Sequence, residues 1–153
     1  MRQLITPSIL LALAMLGTSG AAIGANCTVN LEGNDRMQFN LKEATVSASC
    51  SEITVNLKHT GNLPVAAMGH NVVIAKTPDV AGLSADAIKA GAANGYLPPG
   101  DPRTIAATEM IGGGQASSVR FPANDLKAGG DYTFFCSFPG HAGVMKGALI
   151  VTD

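Results

Sequence analysis

The sequence has few charged side chains and no strong excess of either sign. Only 14% of its 153 residues are Asp, Glu, Lys or Arg, against about 25% in an average domain. The formal net charge is −1, so the chain lacks the basic patch that nucleic acids and anionic membranes attract. We therefore expect no nucleic-acid partner and a surface that is neutral or apolar over much of its area.

Long apolar runs are missing as well. The longest, residues 9–16 (ILLALAML), is far shorter than the roughly 20 residues that span a bilayer, so we expect no stable membrane insertion. It follows Arg2 and precedes small residues, which is typical of a cleaved secretory signal. We predict that residues 1–24 are this signal. Residues 25–153 then form a single soluble domain of formal charge −2, exported to the periplasm.

Cysteine is scarce, and its number is odd: the chain has three. An oxidising compartment favours pairing two of them. Cys27 and Cys50 lie in strand-like sequence and enclose a modest loop, so we expect this pair to form a disulfide worth about 3 kcal/mol. Cys136 is then free. It is either a small buried hydrophobe or a thiol with a chemical task, and an exported free thiol without a task is an oxidation hazard.

Most of the chain after residue 24 has the period of β-structure. Apolar and polar residues alternate in short runs that are separated by Gly, Asn and Asp, a pattern that predicts an antiparallel sandwich or barrel. The predicted strands lie near residues 27–31, 37–41, 46–50, 53–59, 72–75, 104–111, 117–121, 132–136 and 148–151.

One segment has a helical period instead. Apolar or small residues recur at i, i+3, i+4, i+7 and i+8, and Gly91 is placed to end a helix. The recurring positions are Val80, Leu83, Ser84, Ala87 and Ile88. We predict one helix of about three turns here, and no other.

Residues 134–147 (FFCSFPGHAGVMKG) concentrate the reactive groups of the chain. Cys136, His141 and Met145 place a thiol, an imidazole and a thioether between two predicted strands. Two nitrogens and one sulfur in a plane, with a weak axial methionine, are the ligand set that suits copper. The loop is one nitrogen short. His70, at the edge of a predicted central strand, supplies it unless it is an ordinary half-buried histidine.

This arrangement predicts one ligand from a distant strand edge and three from a loop between adjacent strands. We expect it to link the two sheets at one end of the sandwich.

Several motifs extend the pattern beyond the loop. They are Gly33-Asn34-Asp35, Met37-Gln38-Phe39, Val55-Asn56-Leu57 with His59, Gly61-Asn62-Leu63-Pro64, Met68-Gly69-His70-Asn71 and the segment 134–147. On these motifs the chain resembles the azurins, blue-copper proteins of the cupredoxin family, over essentially all of residues 25–153. The resemblance includes the loop spacing, since Cys136 and His141 are five positions apart and His141 and Met145 four, as in the azurin pattern.

The resemblance implies a Greek-key β-sandwich of two sheets with one short helical insertion and one copper ion. His70, Cys136 and His141 match the equatorial ligands and Met145 the long axial ligand. Gly69 matches the residue whose backbone carbonyl lies on the opposite axial side, where a glycine lets the backbone approach the metal.

Four further positions match supporting residues of the family. Asn71 and Ser137 correspond to side chains that tie the two ligand segments together. Cys27 and Cys50 correspond to the family's disulfide.

The resemblance also implies an electron-transfer surface. His141 matches the ligand that reaches the protein edge, where a small apolar patch suits transient redox partners. Such partners are c-type cytochromes and copper or amine-oxidising enzymes. The expected patch residues are Leu63, Met68, Phe138, Pro139 and Gly140.

Three features depart from the family or leave a role open. The chain has no tryptophan, and Val72 stands where several azurins have a buried one, which removes a spectroscopic signature. Residues of the helical segment such as Ile88 also differ, so partner choice transfers less well than copper binding. His59, on the apolar side of its strand, is either a satisfied core histidine or a pH-sensitive modulator.

Three functions compete. The first is one-electron transfer by a mononuclear type 1 copper centre without enzymatic activity. The second is catalysis, as in a copper oxidase or nitrite reductase, which needs several more histidines than the three present. The third is copper storage or delivery, or a structural zinc site, for which the same ligands would serve.

Overall fold

The computed structural model describes residues 25–153, so the predicted signal segment 1–24 lies outside the described residues. Within this described range, nine strands form a four-stranded sheet and a five-stranded sheet. The strands are β1 Thr28–Asn34, β2 Gln38–Phe39, β3 Glu43–Ser47, β4 Glu52–His59, β5 Val73–Lys76, β6 Ala106–Ala107, β7 Ala116–Pro122, β8 Tyr132–Phe135 and β9 Lys146–Thr152.

The strand order is β2-β1-β4-β7 in the first sheet and β3-β9-β8-β5-β6 in the second. The prediction of an all-β sandwich of two sheets is confirmed, but the prediction that it is antiparallel is wrong. β1 pairs with β4 in parallel, and β3 pairs with β9 in parallel. Each of these pairs joins strands that are separated along the chain, whereas alternation of side chains reports burial and not strand direction.

The sheets enclose the main core through one face of each strand. In β4, Ile53, Val55, Leu57 and His59 are buried while the residues between them are partly or fully exposed. Cys27, which precedes β1, forms a disulfide with Cys50 of the β3–β4 turn, with 5.8 Å between the Cα atoms.

The central strands of the five-stranded sheet are buried on both faces. Helix α2, Val80–Ala90, follows β5 and packs on the outer face, where Val80 and Leu83 contact Val73 and Phe135 in a second apolar cluster. This explains why β5 and β8 have continuous apolar sequence rather than alternation. The chain segment that follows β8 therefore starts deep inside the protein.

The predicted helix is confirmed, but the predictions that Ile88 lies on its apolar face and that the chain has no other helix are wrong. Gly91 ends α2 with a φ of 71° and donates its N–H to the Ala87 carbonyl, as a C-terminal glycine does. Ile88 is 65% exposed, because it lies about 100° around the helix from Ala87. A one-turn helix, α1 Val65–Met68, is also present, as are three short 3₁₀ turns, Thr77–Asp79, Ala92–Asn94 and Ala123–Asp125.

Two predicted strands are much shorter than expected. Met37 has a φ of 56° and donates its N–H to the Asn34 carbonyl, so it closes a turn and β2 begins after it. In the segment 104–111, only Ala106–Ala107 pairs as a strand. Beyond it, the Thr108 N–H still donates to the Val72 carbonyl, but the Thr108 hydroxyl rather than a backbone carbonyl accepts the Val72 N–H. No helix among the described residues has the length and apolar character to cross a membrane.

Candidate metal centre

Cys136, His141 and Met145 occupy one tight loop between neighbouring antiparallel strands. Cys136 directly follows β8 and Met145 directly precedes β9. The Cys136 N–H donates to the Met145 carbonyl at 3.0 Å, and the Met145 N–H donates to the His141 carbonyl at 2.8 Å. These backbone bonds fix the spacing of all three side chains before any metal binds.

His70 reaches the same place from the start of the adjacent strand. β5 pairs with β8, with Val73 opposite Phe135, so residues just before β5 lie beside residues just after β8. His70 is held by a two-way backbone bridge to Ile111, with N–H to carbonyl distances of 2.9 Å in both directions. The distant imidazole is thus as rigidly placed as the loop ligands.

The prediction that the ligands themselves link the two sheets is wrong. His70 and Cys136 both lie at one end of the five-stranded sheet, just before β5 and just after β8. The link is made by the other ring nitrogen of His70, whose Nε2–H donates to the carbonyl of Asn34 in β1 at 2.9 Å. This bond also leaves Nδ1 of His70 as the ring atom with a free lone pair.

Three donor atoms converge with the spacing of a metal site. Nδ1 of His70 and Nδ1 of His141 lie 3.9 Å and 3.6 Å from the Cys136 sulfur, and all three donor atoms lie within 4.8 Å of one another. Ligands at about 2.0 Å for nitrogen and about 2.3 Å for sulfur, arranged in a trigonal plane, are about 3.7 Å apart. The donor set therefore fits a single first-row metal ion.

The Gly69 carbonyl and the Met145 side chain are further groups near this set. The Gly69 carbonyl oxygen is 3.8 Å from the Cys136 sulfur. Met145 is fully buried, and its methyl group and the His70 ring both pack against Gly33. A trigonal N₂S plane with a thioether and a carbonyl nearby is the donor chemistry of a blue-copper centre.

Burial sets the protonation states of these ligands in the metal-free protein. It raises the pKa of the Cys136 thiol to about 11 and lowers the pKa of His141 to about 4. Burial is also the main reason that the pKa of His70 is lowered. At neutral pH both imidazoles are neutral donors, and the thiol is protonated. A metal that binds the thiolate must therefore release a proton.

Asn71 and Ser137 join the two ligand segments. The Asn71 Nδ2 donates to the Ser137 hydroxyl at 2.8 Å, and the Ser137 N–H donates to Asn71 Oδ1 at 2.9 Å. Both residues are buried. Each follows a proposed ligand directly, so the two bonds hold the positions of His70 and Cys136 relative to each other.

His59 is a fully buried histidine with both ring nitrogens occupied. Its Nε2–H donates to the Met68 carbonyl at 2.8 Å, and its Nδ1 accepts the Gly61 N–H at 3.1 Å. The ring stacks on His70 with 4.3 Å between centroids. It supports a ligand from behind and is not placed to bind a second metal.

The expected patch residues lie in two segments at this end of the sandwich, residues 63–68, which include α1, and residues 138–140. Leu63 and Gly140 are exposed, whereas Met68, Phe138 and Pro139 are half-buried. Among them, Phe138 is brought directly against a ligand, with 4.6 Å between its ring centroid and that of His141.

Sequence reasoning missed three contacts around the centre. A side chain at Gly33 would meet the His70 ring at 2.7 Å. The Lys42 ammonium donates to the Val144 carbonyl at 3.1 Å, and the Tyr96 ring packs edge-on against Phe138 with 5.1 Å between centroids. Each contact joins residues that are remote along the chain, so the sequence does not indicate it. The one exception is Gly33, because a glycine can indicate a close approach of the backbone to another group.

The fold and the donor set define a mononuclear copper-binding protein of the cupredoxin class. The model of the copper binding proteins of the plastocyanin/azurin family matches residues 25–152. The chain is 55% identical over 123 residues to an azurin of Alcaligenes faecalis, covering 80% of this chain and 96% of that protein. It is 50% identical over 127 residues to an azurin of Pseudomonas chlororaphis, covering 83% and 99% respectively.

A solved structure agrees with these relatives. An azurin from the obligate methylotroph Methylomonas sp. strain J superposes with a TM-score of 0.80 at 42% identity, covering 84% of this chain and all of that one. The chain therefore belongs to the plastocyanin/azurin family, and its cofactor is one copper ion.

Proposed function

We propose that this protein carries single electrons between redox partners and is not an enzyme. The observation that carries the proposal is the closed, preformed donor set: His70, Cys136 and Met145 are fully buried, and His141 is 3% exposed. A substrate has no open position to occupy at such a site. A bound copper ion supplies a Cu(II)/Cu(I) couple, and rigid ligands keep the structural change between the two states small.

The proposed ligand roles follow from these positions. His70, Cys136 and His141 would hold the ion, and Met145 and the Gly69 carbonyl would be its weaker contacts. The Asn71–Ser137 pair and the Asn34 carbonyl hold the ligands in place without touching the ion.

The remaining histidine argues against a catalytic copper protein. Oxidases and nitrite reductases of this class need a further copper site, but His59 is the one histidine of the chain besides His70 and His141. Both of its ring nitrogens are already hydrogen bonded.

His141 provides the proposed exit for the electron. Phe138 covers its ring, and the patch formed by Leu63, Met68, Phe138, Pro139 and Gly140 is the proposed docking surface. A small uncharged patch suits short-lived complexes, such as those with c-type cytochromes or with copper or amine-oxidising enzymes. The proposed location is the periplasm, after removal of residues 1–24.

Absorption spectroscopy tests the proposal. We expect the purified protein with one equivalent of Cu(II) to show an intense blue thiolate-to-copper band that a reductant bleaches and an oxidant restores. Cys136→Ser should abolish the band. A colourless wild-type protein, or colour that survives in Cys136→Ser, contradicts the proposal.

A further inference from the structure

A cleft of about 630 Å³ lies beside the metal centre, between α1 and the loop that follows the 3₁₀ turn Ala92–Asn94. Its walls include Val65, Tyr96, Leu97 and Met110. The volume is in the range of sites that hold small ligands or side chains, about 300–1,000 Å³. Neither the copper ligands nor the proposed docking patch accounts for it.

The cleft lies directly beside residues of the candidate metal centre. Met110 separates it from Gly69, because a side-chain carbon at Gly69 would lie 3.0 Å from the Met110 sulfur. On another wall, Tyr96 packs against Phe138, which packs against His141. An occupant is thus two aromatic rings away from a copper ligand.

Tyr96 is held in this wall by an unusual backbone conformation. Its φ is 53° and follows a φ of 58° at Gly95. A non-glycine residue in the left-handed region is strained, and such residues cluster at functional sites. In this conformation the Tyr96 ring contacts Phe138.

The polar groups in the floor of the cleft are already used. The Asn71 amide is bonded to Ser137 through both of its ends. The Thr108 hydroxyl accepts the Val72 N–H and donates to the Glu109 carbonyl. The buried side chains of Asn71 and Thr108 therefore offer an occupant no free hydrogen-bonding group, which favours an apolar group in the part of the cleft that they line.

The charge of the cleft is a single carboxylate. Glu109 is the only Asp, Glu, Lys or Arg among the lining residues, and it forms no ion pair with any residue in the range 25–153. A ligand that matches the cleft has an apolar stem and a positive end. A lysine side chain has this construction, with four methylene groups and a terminal ammonium.

We propose that this cleft receives a lysine side chain of the electron-transfer partner, with its stem between Val65 and Tyr96 and its ammonium at Glu109. The occupied cleft would anchor the partner beside Phe138, next to the proposed exit for the electron. The identity of the occupant as a partner rests on the proposed function, whereas the fit of an amphipathic cation to the cleft does not.

The first test measures binding to the copper(I) protein, which is diamagnetic, by NMR titration with n-butylammonium chloride as the side-chain probe. We expect saturable shifts of the Tyr96, Glu109 and Met110 amides, and much weaker shifts with n-butanol. Glu109→Gln should lower the affinity about two- to fivefold, as for an exposed ion pair. Glu32→Gln removes the same charge from the outer face of β1 and should have no effect.

The second test measures electron transfer with a lysine-rich c-type cytochrome and with the same cytochrome after lysine acetylation, which removes the positive charges. Glu109→Gln should lower the second-order rate constant two- to fivefold with the native cytochrome. With the acetylated cytochrome it should leave the rate constant unchanged. Glu32→Gln should change neither.

The proposal would be overturned by no saturable shift with n-butylammonium, by equal responses to n-butylammonium and n-butanol, or by equal effects of Glu109→Gln and Glu32→Gln. Binding of n-butylammonium without any effect of Glu109→Gln on the cytochrome rate would also overturn it, since the occupant is then a free organic cation. These results are distinguishable from failure of the proposed function. In that case the wild-type protein would not exchange electrons with the cytochrome, while the NMR titration would be unaffected.

Discussion

Replacing Asn71 with alanine should destabilise the copper-free protein much more than replacing its partner Ser137. Asn71→Ala removes two buried hydrogen bonds. The Ser137 N–H loses its acceptor and cannot move to find another, and the Ser137 hydroxyl loses its donor. An orphaned buried N–H costs about 1–3 kcal/mol and the lost hydroxyl bond about 1 kcal/mol, so we expect a loss of about 2–4 kcal/mol. Ser137→Ala removes only the hydroxyl bond and should cost about 1–2 kcal/mol.

Urea unfolding under anaerobic conditions measures both variants, with an unchanged m-value as the sign that the two-state reference holds. The double variant should be more stable than the sum of the single losses predicts, by about 1 kcal/mol, because the two residues share a bond. Asn30→Ala is the control: its side chain accepts one exposed bond from Asn56, and we expect a change within about 0.5 kcal/mol. An Asn71→Ala loss no larger than that of Asn30→Ala or Ser137→Ala would refute the reasoning.

Three further variants test other parts of the account. Met145→Leu should keep copper and the blue band while changing the reduction potential measured by voltammetry, since an axial ligand tunes the ion more than it holds it. Gly33→Ala should lower the free energy of unfolding by about 1–3 kcal/mol, because the added carbon would lie 2.7 Å from His70 and 2.9 Å from Met145. Arg103 lowers the pKa of Asp101 to about 2. The resulting stabilisation is complete above about pH 4 and is lost as the pH falls towards 2, so Asp101→Asn should flatten the acid end of the stability profile in this range.

Each of these variants has a contrary outcome. Loss of all copper in Met145→Leu would contradict the tuning role. For Gly33→Ala, Gly143→Ala is the matched control, because a side-chain carbon there meets nothing within 4 Å. Equal stability of the two glycine variants would contradict the packing argument, and an unchanged acid limb in Asp101→Asn would contradict the linkage argument.

The sequence predicts those parts of the fold that depend on local period. Ile53, Val55 and Leu57 alternate with polar residues and are buried as expected. The ligand loop could also be predicted, because three of the four ligand side chains lie within ten residues and form most of a donor set that suits copper. His70 could be proposed because the three-ligand set lacked one nitrogen.

The rest depends on contacts that sequence period does not report. Met37 continues the alternation but closes a turn, because its N–H bonds to Asn34. Parallel pairing of β1 with β4 has the same period as antiparallel pairing. The bond between His70 and the Asn34 carbonyl joins residues 36 positions apart, and a backbone acceptor has no sequence signature.

A redox titration of the copper protein, followed by absorption and by metal analysis, tests the central claim most directly. The account predicts one copper per chain, a fully reversible one-electron curve, and copper that stays bound after reduction, because the donor set is formed and buried before the metal binds. Release of copper on reduction, or a blue band that reoxidation does not restore, would contradict electron transfer and indicate copper delivery instead.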